Sequence, residues 1–79
     1  MGWAWYIDRL LPPGYWVGIT PAQDGGQYVN LAYGENYTGE YIKVPSGARP
    51  GVGSLQGVGL LEVIARLFRE RIETNDTTE

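Results

Sequence analysis

The chain has 79 residues, nine acidic and six basic, giving a formal charge of −3, with no Cys and no His. A length below the usual range of about 100 to 150 residues sets a single domain, because two cores could not each close within it. The two missing residue types exclude a disulfide framework, a thiolate nucleophile, a Cys/His zinc site and every His-based triad.

Three Trp, six Tyr and one Phe make the chain aromatic. In a domain this small, each such ring carries a large share of the burial that holds the fold together. The charge is unevenly placed. Glu73, Asp76 and Glu79 fall in the last seven residues, where there is no base, so the first 72 carry six charges of each sign. A neutral body offers neither the clustered cations of a duplex-binding protein nor a dense anionic field. No run approaches the roughly 18 apolar residues of a membrane span, and the start of the chain lacks the pattern of a secretory signal. A cytoplasmic protein with no membrane partner is expected.

In chain order, Trp3 to Leu11 is the first element. Trp3, Tyr6, Ile7, Leu10 and Leu11 share a helical face, while Trp3, Trp5 and Ile7 would alternate in a strand; a short helix is favoured, with an extra strand as the alternative. Pro12-Pro13-Gly14 ends it. Tyr15 to Thr20 reads as a strand closed by Pro21, and the turn-rich Ala22 to Gly26 leads to a second strand at Gln27 to Tyr33. Gly34 to Gly39 reads as another turn, followed by a third strand over Glu40 to Val44.

Ser46 to Gly59 is rich in glycine and reads as a surface loop. A helix is then expected from about Ser54 or Val58 to Glu73, with Leu60, Leu61, Ile64, Leu67, Phe68 and Ile72 on one stripe. Residues 1–73 therefore make one compact α+β domain, a three-stranded antiparallel meander packed on a C-terminal helix, and 74–79 an acidic, disordered tail. The α-β-β-β-α order resembles that of double-stranded-RNA-binding domains. At the start of the last helix, however, this chain has Gly57-Val-Gly59-Leu60 where that family places lysines.

Chemistry-bearing motifs are sparse. Gly51-Val-Gly53-Ser-Leu-Gln-Gly57 lacks the spacing of a dinucleotide fingerprint and the Gly-Lys ending of a Walker loop. Glu35 and Glu40 flank a turn, and no general base stands beside Ser46 or Ser54. Neither a catalytic centre nor a cofactor or metal site is expected. On the last helix, Glu62–Arg66, Arg66–Glu70 and Arg69–Glu73 are spaced for local ion pairs, which leaves Arg71 as the base without a near partner.

Strand alternation carries the main functional signal. With Tyr15, Val17, Ile19, Val29, Leu31, Tyr33, Ile42 and Val44 toward the helix, the opposite face holds Trp16, Thr20, Tyr28, Asn30, Tyr41 and Lys43. An exposed aromatic platform of this kind marks an interface; the alternative is that Trp3, Trp5 and the N-terminal segment cover it as a second core. Stacked single-stranded bases would use the same rings but also want several cations, and a homodimer could hide them.

In size, composition and lack of catalytic residues the whole chain resembles small phage-encoded anti-CRISPR inhibitors of type I systems. The resemblance implies a non-enzymatic inhibitor that binds a CRISPR effector complex, a protein partner, and blocks target-DNA binding. Asp24, Glu35 and Glu40 at the turns would then meet basic residues of the partner, while Trp16, Tyr28 and Tyr41 serve as apolar anchors.

Overall fold

The computed structural model describes residues 2–77. Its elements run α1 (Ala4–Asp8), β1 (Tyr15–Pro21), β2 (Gln27–Tyr33), β3 (Asn36–Val44) and α2 (Leu55–Thr77), and the strands form one antiparallel sheet in the order β1-β2-β3. The expected α+β meander on a C-terminal helix is therefore the fold.

The first element is a helix. Ile7 is buried in the core and Leu10, three residues on, packs against it, a spacing that a helical turn satisfies and a strand would split between two faces. After Asp8 the chain tightens into i→i+3 bonds from Leu10 N–H to Ile7 O at 2.9 Å and from Leu11 N–H to Asp8 O at 3.1 Å, and the two prolines then prevent continuation.

The core lies on one side of the sheet. Val17, Val29, Leu31 and Val44 meet Leu61, Ile64, Ala65, Phe68 and Ile72 of α2, together with Ile7 and Leu11. The α2 residues recur at the three- and four-residue intervals that keep one stripe facing inward. Phe68 is fully buried, and removing a ring of that size from water contributes roughly 1.5 to 3 kcal/mol. Tyr33, expected toward the helix, sits at the margin of that side; its ring packs on Tyr15 at 4.6 Å while 55% of it stays exposed.

Two boundaries differ from expectation, the start of β3 and the end of α2. The second turn contains only Gly34 and Glu35, because Tyr33 pairs directly with Asn36 and Gly34 takes φ 63°, the positive value that a two-residue hairpin loop requires. Consequently β3 begins four residues before Glu40. The last helix starts at Leu55, in agreement with the earlier of the two expected starts, where the Ser54 hydroxyl accepts from Gly57 N–H at 3.0 Å, a capping bond typical of Ser. It also continues past Glu73 to Thr77, so the expected disordered tail is helical over 74–77, and residues 78 and 79 lie outside those described.

Both outer edges of the sheet are partly closed by side chains. Val17 N–H on β1 donates to Asp8 Oδ1 at 2.9 Å, and Tyr41 O on β3 accepts from Arg71 at 3.1 Å. Such caps hinder another strand from adding to the sheet. Among the described residues, no helix is long and apolar enough to cross a membrane.

Candidate interaction surface on the open sheet face

The side of the sheet away from the helices carries the residues that alternation places there. Cross-strand pairing sets Trp16 beside Ala32, Gly18 beside Asn30 and Thr20 beside Tyr28; on the other side of β2, Tyr28 pairs with Lys43 and Asn30 with Tyr41. The N-terminal segment does not lie across them. Its Ile7 and Leu11 belong to the helix-side core, Trp3 packs against that same cluster, and Trp5 is 55% exposed. Covering by Trp3 and Trp5 is thus excluded, and Trp16, Tyr37 and Tyr41 are all exposed rings.

Tyr37 is the member of this face that sequence reading missed. Between Asn30–Tyr41 and Ala32–Tyr37 the ladder advances two residues on β2 but four on β3. The bulge centres on Gly39 at φ 95°, with Thr38 Oγ1 donating to Leu31 O at 3.1 Å and accepting from Glu40 N–H at 3.2 Å. Two extra residues are an even number, so the alternation of faces survives and Tyr37 emerges on the same side as Tyr41 and Lys43. The signal available in the sequence was the Tyr37/Tyr41 spacing, obscured by glycines on either side of Tyr37.

The rings form two cross-strand pairs. Trp16 and Tyr37 have centroids 5.6 Å apart and planes inclined by 51°, and their common neighbour Ala32 is fully buried. Tyr28 and Tyr41 meet edge to face at 5.5 Å and 86°. Between them, Asn30 Nδ2 donates to Gly18 O at 3.0 Å and to Thr20 Oγ1 at 3.2 Å, which fixes a polar centre on an otherwise aromatic surface. The Trp16 indole N–H donates to Gly34 O at 2.8 Å and so locks that ring to the β2–β3 turn.

The charged residues predicted at the turns have different fates. Asp24 pairs with Lys43 and accepts from Gly26 N–H at 3.0 Å, so the Lys43 hydrogen bond first and the backbone bond second hold its carboxyl below the usual range, while Lys43 is raised by the same contact. Lys43 Nζ also stands 5.9 Å from the Tyr28 ring centroid. Glu40 does not reach the aromatic face: it pairs with Arg71 at 3.1 Å across the β3 edge. A hollow of about 560 Å³ at that edge is lined by Glu40, Leu67, Glu70 and Arg71, with the Glu40 charge already matched. Glu35 alone of the three expected acids stands exposed at its turn with no ion pair among the described residues.

On α2 the expected i,i+4 ion pairs do not form. Glu62 instead accepts from the Tyr6 hydroxyl at 3.0 Å, Arg69 donates to Leu10 O at 3.1 Å, and Arg71 spans to β3. These bonds tie both α1 and the sheet edge to α2. Among the described residues no cluster of three or more acids could hold a metal ion.

No family model matches this chain, and no curated protein or solved structure matches it.

Proposed function

We propose that this chain is a non-enzymatic protein-binding module that engages its partner through the open face formed by Trp16, Tyr28, Tyr37 and Tyr41, with Asn30 and Lys43 as polar contacts. The carrying observation is that an aromatic face is left uncovered in a domain too small to leave much apolar surface idle, while each outer sheet edge is partly closed by a side chain. Rings of this type bury a large area with few torsions to freeze, the property that enriches Trp and Tyr at the centres of interfaces.

Two features favour a protein over a single-stranded nucleic acid. The ring planes are inclined by 51° and 86° within each pair, which makes a ridged surface suited to side chains instead of a run of parallel platforms for bases. The cation on this face, Lys43, is neutralised by Asp24, so few free charges remain to displace counterions.

The test is affinity capture from host lysate by the immobilised chain, beside a Tyr37→Ser/Tyr41→Ser variant. A partner retained in fixed stoichiometry by the first and lost by the second, with the melting temperature moved by less than about 4 °C, supports the reading. Equal retention by both sinks it. A complex that dissolves steeply between low and physiological salt would indicate nucleic acid, and a concentration-dependent doubling of mass would indicate self-association. The narrower form, inhibition of a type I CRISPR effector complex, rests on the whole-chain resemblance alone and is decided by an interference assay with and without the chain.

A further inference from the structure

Resting on that protein-binding reading, we infer that the Trp16–Tyr37 end of the face, with Glu35, is a subsite for a cationic side chain of the partner, a guanidinium above all. The two rings are exposed, with centroids 5.6 Å apart and planes inclined at 51°, so aromatic surface of both is open to a partner at this end of the sheet. Each face carries the negative part of the ring quadrupole, which attracts a cation most strongly over Trp. The indole N–H, the positive edge of Trp16, is already engaged by Gly34 O at 2.8 Å.

Glu35 follows Gly34 directly in the two-residue turn, so the turn that anchors the indole also carries the unpaired carboxylate. Asp24 and Glu40 are neutralised by Lys43 and Arg71, and Asp8 is engaged at the β1 edge by Val17 N–H. Three of the six cations sit on other rings: Arg9 over Tyr6 at 4.7 Å, Lys43 by Tyr28 at 5.9 Å, and Arg71 by Phe68 at 5.9 Å. Among the described residues the Trp16–Tyr37 pair therefore combines two exposed rings and an acid without an ion pair, with no cation of the chain over either ring. A guanidinium suits it better than an ammonium because it is planar, stacks on a ring and still offers N–H donors to a carboxylate.

The experiment is an NMR titration of the intact chain with Nα-acetyl-arginine amide and, as a neutral isostere, Nα-acetyl-citrulline amide. Expected are saturable shifts of the Trp16 indole N–H and the Tyr37 ring with the arginine probe, about fivefold weaker binding of the citrulline probe, and about threefold weaker arginine binding by Glu35→Gln. Trp3 and Trp5 serve as internal controls and should not respond. Equal binding of the two probes, an unchanged affinity in Glu35→Gln, or an equal response at Trp5 overturns the inference. If the Tyr37→Ser/Tyr41→Ser variant loses its captured partner but the arginine probe leaves Trp16 unmoved, the module reading stands and this subsite falls.

Discussion

The ring of Tyr37 lies over Gly18 on the outer face of the sheet, two strands away, with its hydroxyl above the Gly18 Cα. A Cβ at position 18 would stand 3.2 Å from two carbons of that ring and closer still to the hydroxyl. The obstructed atoms are the far end of a side chain, so the ring can swing away at small cost to the fold, and the strand loses a glycine that was entropically unfavourable. Gly18→Val is expected to change stability by less than about 1 kcal/mol. It should nevertheless separate Tyr37 from Trp16, which near-UV circular dichroism reads as a loss of the coupled aromatic signal. An unchanged spectrum would show that the ring is not held there.

Arg71 joins the end of α2 to β3 through one nitrogen, which donates to Glu40 Oε1 and to Tyr41 O, each at 3.1 Å. Both charged groups are about two-fifths exposed, so solvent screens the ion pair and leaves the carbonyl cap as the firmer part. Arg71→Ala is expected to cost about 1 kcal/mol in chemical denaturation, with Glu40→Gln costing less than half of that. Hydrogen exchange should accelerate along β3 in Arg71→Ala. If exchange instead rises uniformly over the chain, Arg71 contributes to global stability and does not guard the edge.

The legible parts of the fold are those encoded by local periodicity. Leu61, Ile64, Phe68 and Ile72 mark the inner stripe of α2 without reference to anything distant, and Pro12-Pro13 and the glycine turns punctuate the strands. Trp16, Tyr28, Asn30, Tyr41 and Lys43 fall on one face because alternation needs only correct strand assignment. What escaped depends on partners far along the chain. The bulge that brings Tyr37 to that face is stabilised by Thr38 bonding to Leu31, and its window between Gly34 and Gly39 looks like a turn. Arg71 looked unpaired because its acid is 31 residues away, whereas the charge spacing on α2 suggested local pairs that longer-range bonds replaced.

Asp8 and Asp24 should respond to pH in opposite senses. Partial burial raises the Asp8 carboxyl above its ordinary value of 3.8, against the smaller lowering effect of the Val17 N–H bond. The native state then holds that proton more tightly than the unfolded chain, so the Asp8 contribution is full below 3.8 and is lost as pH rises through the folded value. Asp24 is lowered by Lys43 and the Gly26 N–H, so its contribution is present above 3.8 and is lost as pH falls through the folded value. Asp8→Asn, whose amide oxygen can still accept from Val17, is expected to be neutral or stabilising at pH 7 and to flatten the part of the stability curve just above 3.8. Asp24→Asn should remove sensitivity only on the acid side. Carboxyl carbon chemical shifts followed through an acid titration check both signs, and an Asp8 midpoint below 3.8 would refute the burial argument.

Two glycines of α2 two residues apart should give stability changes of opposite sign. A helical glycine replaced by alanine ordinarily gains about 1 kcal/mol, because the unfolded chain loses freedom and the helix gains propensity. At Gly59 nothing lies within 4 Å of the new methyl, so Gly59→Ala is expected to stabilise by roughly that amount. At Gly57 the methyl would stand 2.7 Å from Gly51 O and 3.0 Å from Arg49 O, both backbone atoms that cannot rotate aside. Gly57→Ala should therefore destabilise by about 1 to 3 kcal/mol despite its propensity gain, as overpacking usually does, by pushing the 46–54 loop off the helix. Urea denaturation of the two single variants measures the contrast. Equal stabilisation by both would mean that the loop does not rest on Gly57, and the close approach of that loop to the first turns of α2 would have to be abandoned.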